Sequence, residues 1–240
     1  MFSRGRGPRL ALLAGVVLVA LIDWRGDYLR VHGHRGQTAY AVWLVANAVT
    51  LLPLIVGSLA SGGARRNREP GVGELHGTGT LAPWRLALAR YFGIAVPAFS
   101  AAVVLSVVMA LLSLGKAGGH YALITLAAAG VMLVPAVLVM VAVGLALRSL
   151  LPFRYSEPLT AAIYVWALLA GIKGLPSIGR TPLDPTVTYA RRVLFHTDAM
   201  MSSAPFHPAA SGLMLALNLI VLAAAIVLAI AIVAWRERPL

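Results

Sequence analysis

The side chains in this chain that could do chemistry are few, and they gather in polar intervals between apolar runs. The longest such interval on one side is residues 64–90, ARRNREPGVGELHGTGTLAPWRLALAR. It sets Arg65, Arg66, Arg68 and Glu69 close together, then Glu74 and Leu75, then Trp84 and Arg85. Gly71, Gly73, Gly77 and Gly79, with Pro70 and Pro83, cut it into short helical pieces joined by tight turns. Mixed charge beside an exposed tryptophan suits a protein-docking surface, where aromatic and arginine anchors carry most of the energy. Arg65, Arg66 and Arg68 could instead meet lipid headgroups. Glu74 gains nothing at an anionic membrane surface and calls for a protein partner.

A second interval, residues 176–211, brings Arg191, Arg192, His196 and Asp198 together. A hydrolase or transferase could use such a set, but the alternative is an amphipathic surface helix with Val187, Ala190 and Leu194 on one face. Other catalytic patterns fail on their own terms. His32 and His34 alternate without a third metal ligand. Ser177 and Ser211 lack the strained turn that exposes a nucleophilic serine. Gly115-Lys116-Ala117 lacks the upstream glycine and the following Ser or Thr of a nucleotide loop, so ATP is not bound by that route. With no cysteine, thiolate nucleophiles and thiolate metal sites are excluded.

The elements that position these intervals are membrane spans. The chain has 240 residues, 60% of them hydrophobic and 12% charged, with a mean hydropathy of +0.84. A soluble globule carries roughly a quarter charged residues. Apolar runs approaching the roughly 20 residues that cross a bilayer predict six spans, at about 9–24, 39–59, 92–114, 121–147, 159–175 and 213–235. The expected fold is an all-α integral membrane protein, one six-span domain over residues 1–240. A cytoplasmic loop of short helices lies between spans two and three, and an external, re-entrant element between spans five and six. Arg4, Arg6 and Arg9 ahead of the first run resemble a signal peptide, but no small-residue cleavage site follows, so an uncleaved span is expected. Of the 20 Lys and Arg residues, the majority fall on the side of the termini, which predicts both termini in the cytoplasm and a plasma-membrane location. The net charge of +12 is assigned to topology and anionic lipid rather than to nucleic acid, since no basic face with interleaved aromatics lies outside the spans.

No Asp, Glu, Lys, Arg or His occupies the middle third of any predicted span. Ion-coupled carriers bind the coupling ion at depth through such groups, so a self-powered transporter is disfavoured. The polar residues inside are Asn47, Thr50, Ser100, Ser106, Thr125 and Asn218. They are expected to bond between helices, or, for Asn47, Thr50, Ser100, Ser106 and Asn218, to line a translocation path. Pro97 and Pro135 are expected to bend their helices.

Arg68-Glu69-x-Gly71-x-x-Glu74-Leu75, followed by Pro83-Trp84-Arg85 and then Leu86, Leu88 and Ala89, resembles the coupling loop of type-2 ATP-binding-cassette (ABC) exporter permeases. Val72 stands where that family has threonine, and residues 76–80 are glycine-rich where it has leucines. The order of spans also fits the family. The resemblance implies a transmembrane permease subunit that exports an amphiphilic or hydrophobic substrate such as a drug, antibiotic, lipid-like molecule or peptide. It implies Arg68, Glu69, Gly71, Glu74, Leu75, Trp84 and Arg85 as the ATPase-coupling residues, and no catalytic or metal site. The partners implied are a cytosolic ABC ATPase subunit, a second permease chain and membrane lipid. No cofactor binds this chain; ATP and Mg belong to the ATPase. The contrasting expectation is a six-span membrane enzyme or assembly factor that uses residues 176–211.

Overall fold

A computed structural model describes residues 37–62, 82–169, 178–195 and 212–236. Every regular element among them is helical. Helix α1 is Gln37–Gly62, α2 is Pro83–Ala117 and α3 is Gly119–Ala128. A π-helical turn, Ala129–Leu133, joins α3 to α4, Val134–Leu150, and α5 is Phe153–Leu168. A 3-10 turn, Ile178–Arg180, then precedes α6, Thr188–Phe195, and α7, Gly212–Arg236. Four helical runs are long and apolar enough to cross a membrane: Tyr40–Ser61, Pro83–Ala117, Gly119–Leu150 and Gly212–Arg236. They are consistent with a multi-pass membrane protein. The span expected over residues 9–24 lies outside the described residues, as does most of the loop at 64–90.

Two helices begin well before the apolar runs from which they were expected. Helix α2 starts at Pro83 rather than near 92. Pro83 stands at a helix start, where its missing N–H costs nothing, and Leu86 to Ala89 are strong helix formers. Arg85 and Arg90 therefore end the hydrophobic run without ending the helix. With 35 residues, α2 is about 52 Å long against a hydrocarbon layer of about 30 Å, long enough for its first turns to project past the lipid tails. Helix α5 likewise starts at Phe153, following Pro152, rather than near 159.

Helices α1 and α4 form the centre. Tyr40, Leu44, Leu52, Val137 and Met140 are all fully buried there. Between lipid-immersed helices no hydrophobic force drives association, so close packing and hydrogen bonds must hold them. Small residues provide the packing. A Cβ on Gly144 would fall 2.5 Å from the Gly57 carbonyl oxygen, 3.0 Å from Ala60 Cβ and 3.2 Å from the Ser61 nitrogen. The two backbones thus touch at a glycine crossing.

A proline supplies the hydrogen bond. Pro53 lies inside α1 and has no N–H to offer the carbonyl one turn back, that of Val49. The fully buried Tyr164 of α5 donates its hydroxyl to that Val49 oxygen. An orphaned backbone acceptor thereby becomes the tie between α1 and α5. Tyr164→Phe should lower the unfolding midpoint by an amount corresponding to about 1–3 kcal/mol. Adding Pro53→Ala, which returns an N–H to the same carbonyl, should recover part of the loss. A Tyr164→Phe protein as stable as the wild type would refute the tie.

Pro135 is accommodated differently. The helix widens into the π turn at Ala129–Leu133 directly ahead of it, which relieves the clash between the ring and the preceding carbonyl. Helix α2 continues through Pro97.

Candidate functional site

Contacts between helices fix which ends lie together. Gly57 of α1 meets Thr160 of α5, and Gly144 of α4 meets Ala60 and Ser61 of α1. Ala87 and Tyr91 of α2, Ala142 and Leu145 of α4, and Ala229, Ile230 and Val233 of α7 line one apolar hollow. The start of α2, the ends of α1, α4 and α7, and the start of α5 therefore share one end of the bundle. At the other end, the Lys116 ammonium of α2 lies 5.6 Å from the Tyr40 ring centroid of α1. Gly62 and Pro83, which flank the loop, thus both belong to the first end.

That end carries three pairings of an arginine with an aromatic residue next to it in the chain. The Arg85 guanidinium carbon lies 5.3 Å from the Trp84 ring centroid, that of Arg154 lies 4.7 Å from Tyr155, and that of Arg236 lies 5.6 Å from Trp235. The rings are about half exposed: Trp84 53%, Tyr155 50%, Trp235 59%. Aromatic rings and arginines at helix ends suit the water–lipid boundary, where the ring is apolar and the cation stays wet.

Of the expected coupling residues, Trp84 and Arg85 are brought together on the first turn of α2. Arg68, Glu69, Gly71, Glu74 and Leu75 lie outside the described residues. The five path candidates are not brought into one channel. Thr50 and Ser100 are exposed on the outside of the bundle and donate to their own helices, to Ala46 O at 2.9 Å and Pro97 O at 2.8 Å. Ser106 is buried and donates to Ala102 O at 2.7 Å; Thr125 donates to Tyr121 O at 2.9 Å. Bonding between helices was expected for these hydroxyls. A carbonyl one turn back is always within reach, and it wins. Asn47 Nδ2 is buried without a hydrogen-bond partner among the described residues.

Asn218 does something the sequence did not announce. Its side-chain nitrogen donates to the backbone oxygens of Pro182 at 2.8 Å and Asp184 at 3.0 Å. Asp184 is fully buried, and its Oδ1 accepts from the Thr186 N–H at 2.9 Å and the Thr186 hydroxyl at 2.5 Å. Asn218 thereby latches the segment before α6 onto α7. The visible signal was Asp184-Pro185-Thr186, an Asx-turn sequence. The amphipathic helix expected there is present as α6, with Val187 and Ala190 buried but Leu194 49% exposed. Tyr189 is buried, and Val193 and Phe195 also pack against the core, so the helix meets the bundle along its length while Leu194 does not. Arg191 is half buried, while His196 and Asp198 lie outside the described residues.

No family model matches the chain, and no curated protein or solved structure matches it either.

Proposed function

We propose that this chain is the transmembrane permease subunit of an ABC exporter. It moves an amphiphilic or hydrophobic substrate across the plasma membrane and is powered by a separate cytosolic ATPase. In this reading residues 1–240 form one six-span domain, with spans one and five near residues 9–24 and within 153–175. Both termini are cytoplasmic, a second permease chain completes the unit, and ATP and Mg stay on the ATPase.

One observation carries the reading. The helix ends that flank residues 63–81 lie at the same basic, aromatic end of the bundle, and Trp84 and Arg85 are exposed there. A partner docking on Glu74, Leu75 and Trp84 would then push directly on α2, whose 35 residues run the length of the bundle. A rigid helix so driven can carry closure of the ATPase into the membrane.

Glu74→Ala and Trp84→Ala should leave membrane insertion intact while weakening capture of the ATPase. Loss of an interface hot spot costs about 2 kcal/mol, roughly thirtyfold in affinity. Undiminished ATPase binding by both variants would remove these residues from the interface.

A further inference from the structure

We propose that the outer part of the α2–α3 hairpin, beyond Pro97 and Pro135, is a hinged arm that swings away from the start of α1 while the rest of the bundle stays closed. The inference does not rest on the permease reading, only on the packing of the described helices.

Two breaks at one level define the hinge. Ala87 and Tyr91 of α2 pack with Ala142 and Leu145 of α4 in one closed seam, which fixes the register of the two helices. Pro97 stands ten residues beyond Ala87, and Pro135 stands ten residues before Leu145. At about 1.5 Å per residue, both prolines lie about 15 Å from the seam, toward the turn at Gly118. Each removes a backbone hydrogen bond from its helix. Next to Pro135 the π turn Ala129–Leu133 loosens the ladder further, and helices bend at such turns and at prolines. Gly93, whose carbonyl loses its donor to Pro97, and Gly130, inside the π turn, have nothing within 4 Å of the place a side chain would take. A bend at either glycine meets no neighbour there.

The two sides of the hinge are held unequally. Helix α4, on the near side, buries nine of its 17 residues and meets α1 backbone to backbone at Gly144. Helix α3, on the far side, buries only Thr125 and Ala128 of its 10. Leu111 and Leu114 of α2 and Leu123 and Leu126 of α3 are exposed near the tip. Sparse burial of this kind marks the part of a fold that opens at least cost. Helix α3 packs against α2 more than against α1, so the two strands of the arm move together. A contact between the tip and α1 is the Lys116 ammonium, 5.6 Å from the Tyr40 ring centroid. Lys116 is exposed, and a cation–π contact at an exposed site is weak. It serves as a releasable clasp, and its release opens the end of the bundle away from Trp84 and Arg85.

The test is pulsed electron spin resonance on the purified chain in lipid nanodiscs, without any ATPase. The native chain has no cysteine, so spin labels attach only where one is placed. Thr38→Cys with Leu123→Cys reads the arm against the start of α1. Ser58→Cys with Leu150→Cys reads α4 against α1 on the near side, and all four side chains are at least partly exposed. The arm pair should show two distance populations and the near pair one. Pro97→Ala with Pro135→Ala should reduce the arm pair to a single population. Lys116→Gln should instead raise the longer-distance population about threefold. Gly93→Ala with Gly130→Ala, where the added methyls meet nothing, should stiffen both helices and deplete the longer distance. That variant decides the matter if the proline variant fails to fold. A single narrow population for the arm pair, or two populations untouched by stiffening, would overturn the proposal. Equal broadening of both pairs would overturn it too, because the whole bundle would then be loose. With no ATPase present, failure of the permease reading would leave each outcome interpretable.

Discussion

Gly144→Ala should destabilise the detergent-solubilised protein more than a methyl group added at any other glycine whose surroundings are described. The added Cβ would sit 2.5 Å from the Gly57 carbonyl oxygen, a backbone atom that cannot move without shifting α1. Overpacking of a close-packed interior costs about 1–3 kcal/mol even where side chains can give. Here the cost should lie at the upper end, because Ala60 Cβ and the Ser61 nitrogen close the other directions at 3.0 and 3.2 Å. Gly57→Ala is the informative intermediate. Its Cβ would meet Met140 Cε at 3.0 Å and Thr160 Cγ2 at 3.1 Å, and a methionine end can swing aside. Gly93→Ala meets nothing within 4 Å and should stabilise by up to about 1 kcal/mol through helix propensity alone. The expected order of unfolding midpoints is Gly93→Ala, wild type, Gly57→Ala, Gly144→Ala. Gly144→Ala behaving like Gly93→Ala would mean that α1 and α4 do not cross backbone to backbone.

The order of the long helices was legible because an apolar run near bilayer length has few alternative explanations. Their ends were not. Hydropathy stops at a charged residue, whereas a helix stops where its backbone loses partners or meets a breaker. Arg85, Arg90, Arg154 and Glu157 thus fell into loops on paper and into helices in space. Buried hydrogen bonds were legible on one side only. Pro53 leaves a carbonyl in need of a donor, but nothing local to Val49 points to Tyr164, far along the chain on another helix. Asn218 looked like a residue for a path or a neighbouring helix. Its partners are backbone oxygens of an irregular segment, and no periodicity encodes those. The crossing at Gly57 and Gly144 was missed for a related reason: a glycine in an apolar run has no side chain to show which neighbour it approaches.

On the permease reading proposed above, transport should require ATP hydrolysed by a partner and should be indifferent to the proton gradient. Among the described residues, Asp, Glu, Lys, Arg and His occur in the long helices only near their ends, as Arg85, Arg90, Lys116, His120, Arg148 and Arg236. Such positions lie near the ends of the helices and not at the depth where a coupling ion has to bind. Asp184 is the buried carboxylate among the described residues that could argue otherwise. It accepts two hydrogen bonds from Thr186. Its backbone is in turn pinned by Asn218, which suits a fixed structural turn better than a carrier of protons. In vesicles containing this chain and its ATPase, replacing the ATPase's catalytic carboxylate should slow substrate movement about a hundredfold or more. Collapsing the proton gradient at constant ATP should leave the rate nearly unchanged, and so should Asp184→Asn in protein that retains its fold. The opposite result would be uptake by this chain alone, driven by an imposed proton gradient and abolished by Asp184→Asn. That would make Asp184 the coupling group and this chain a carrier in its own right.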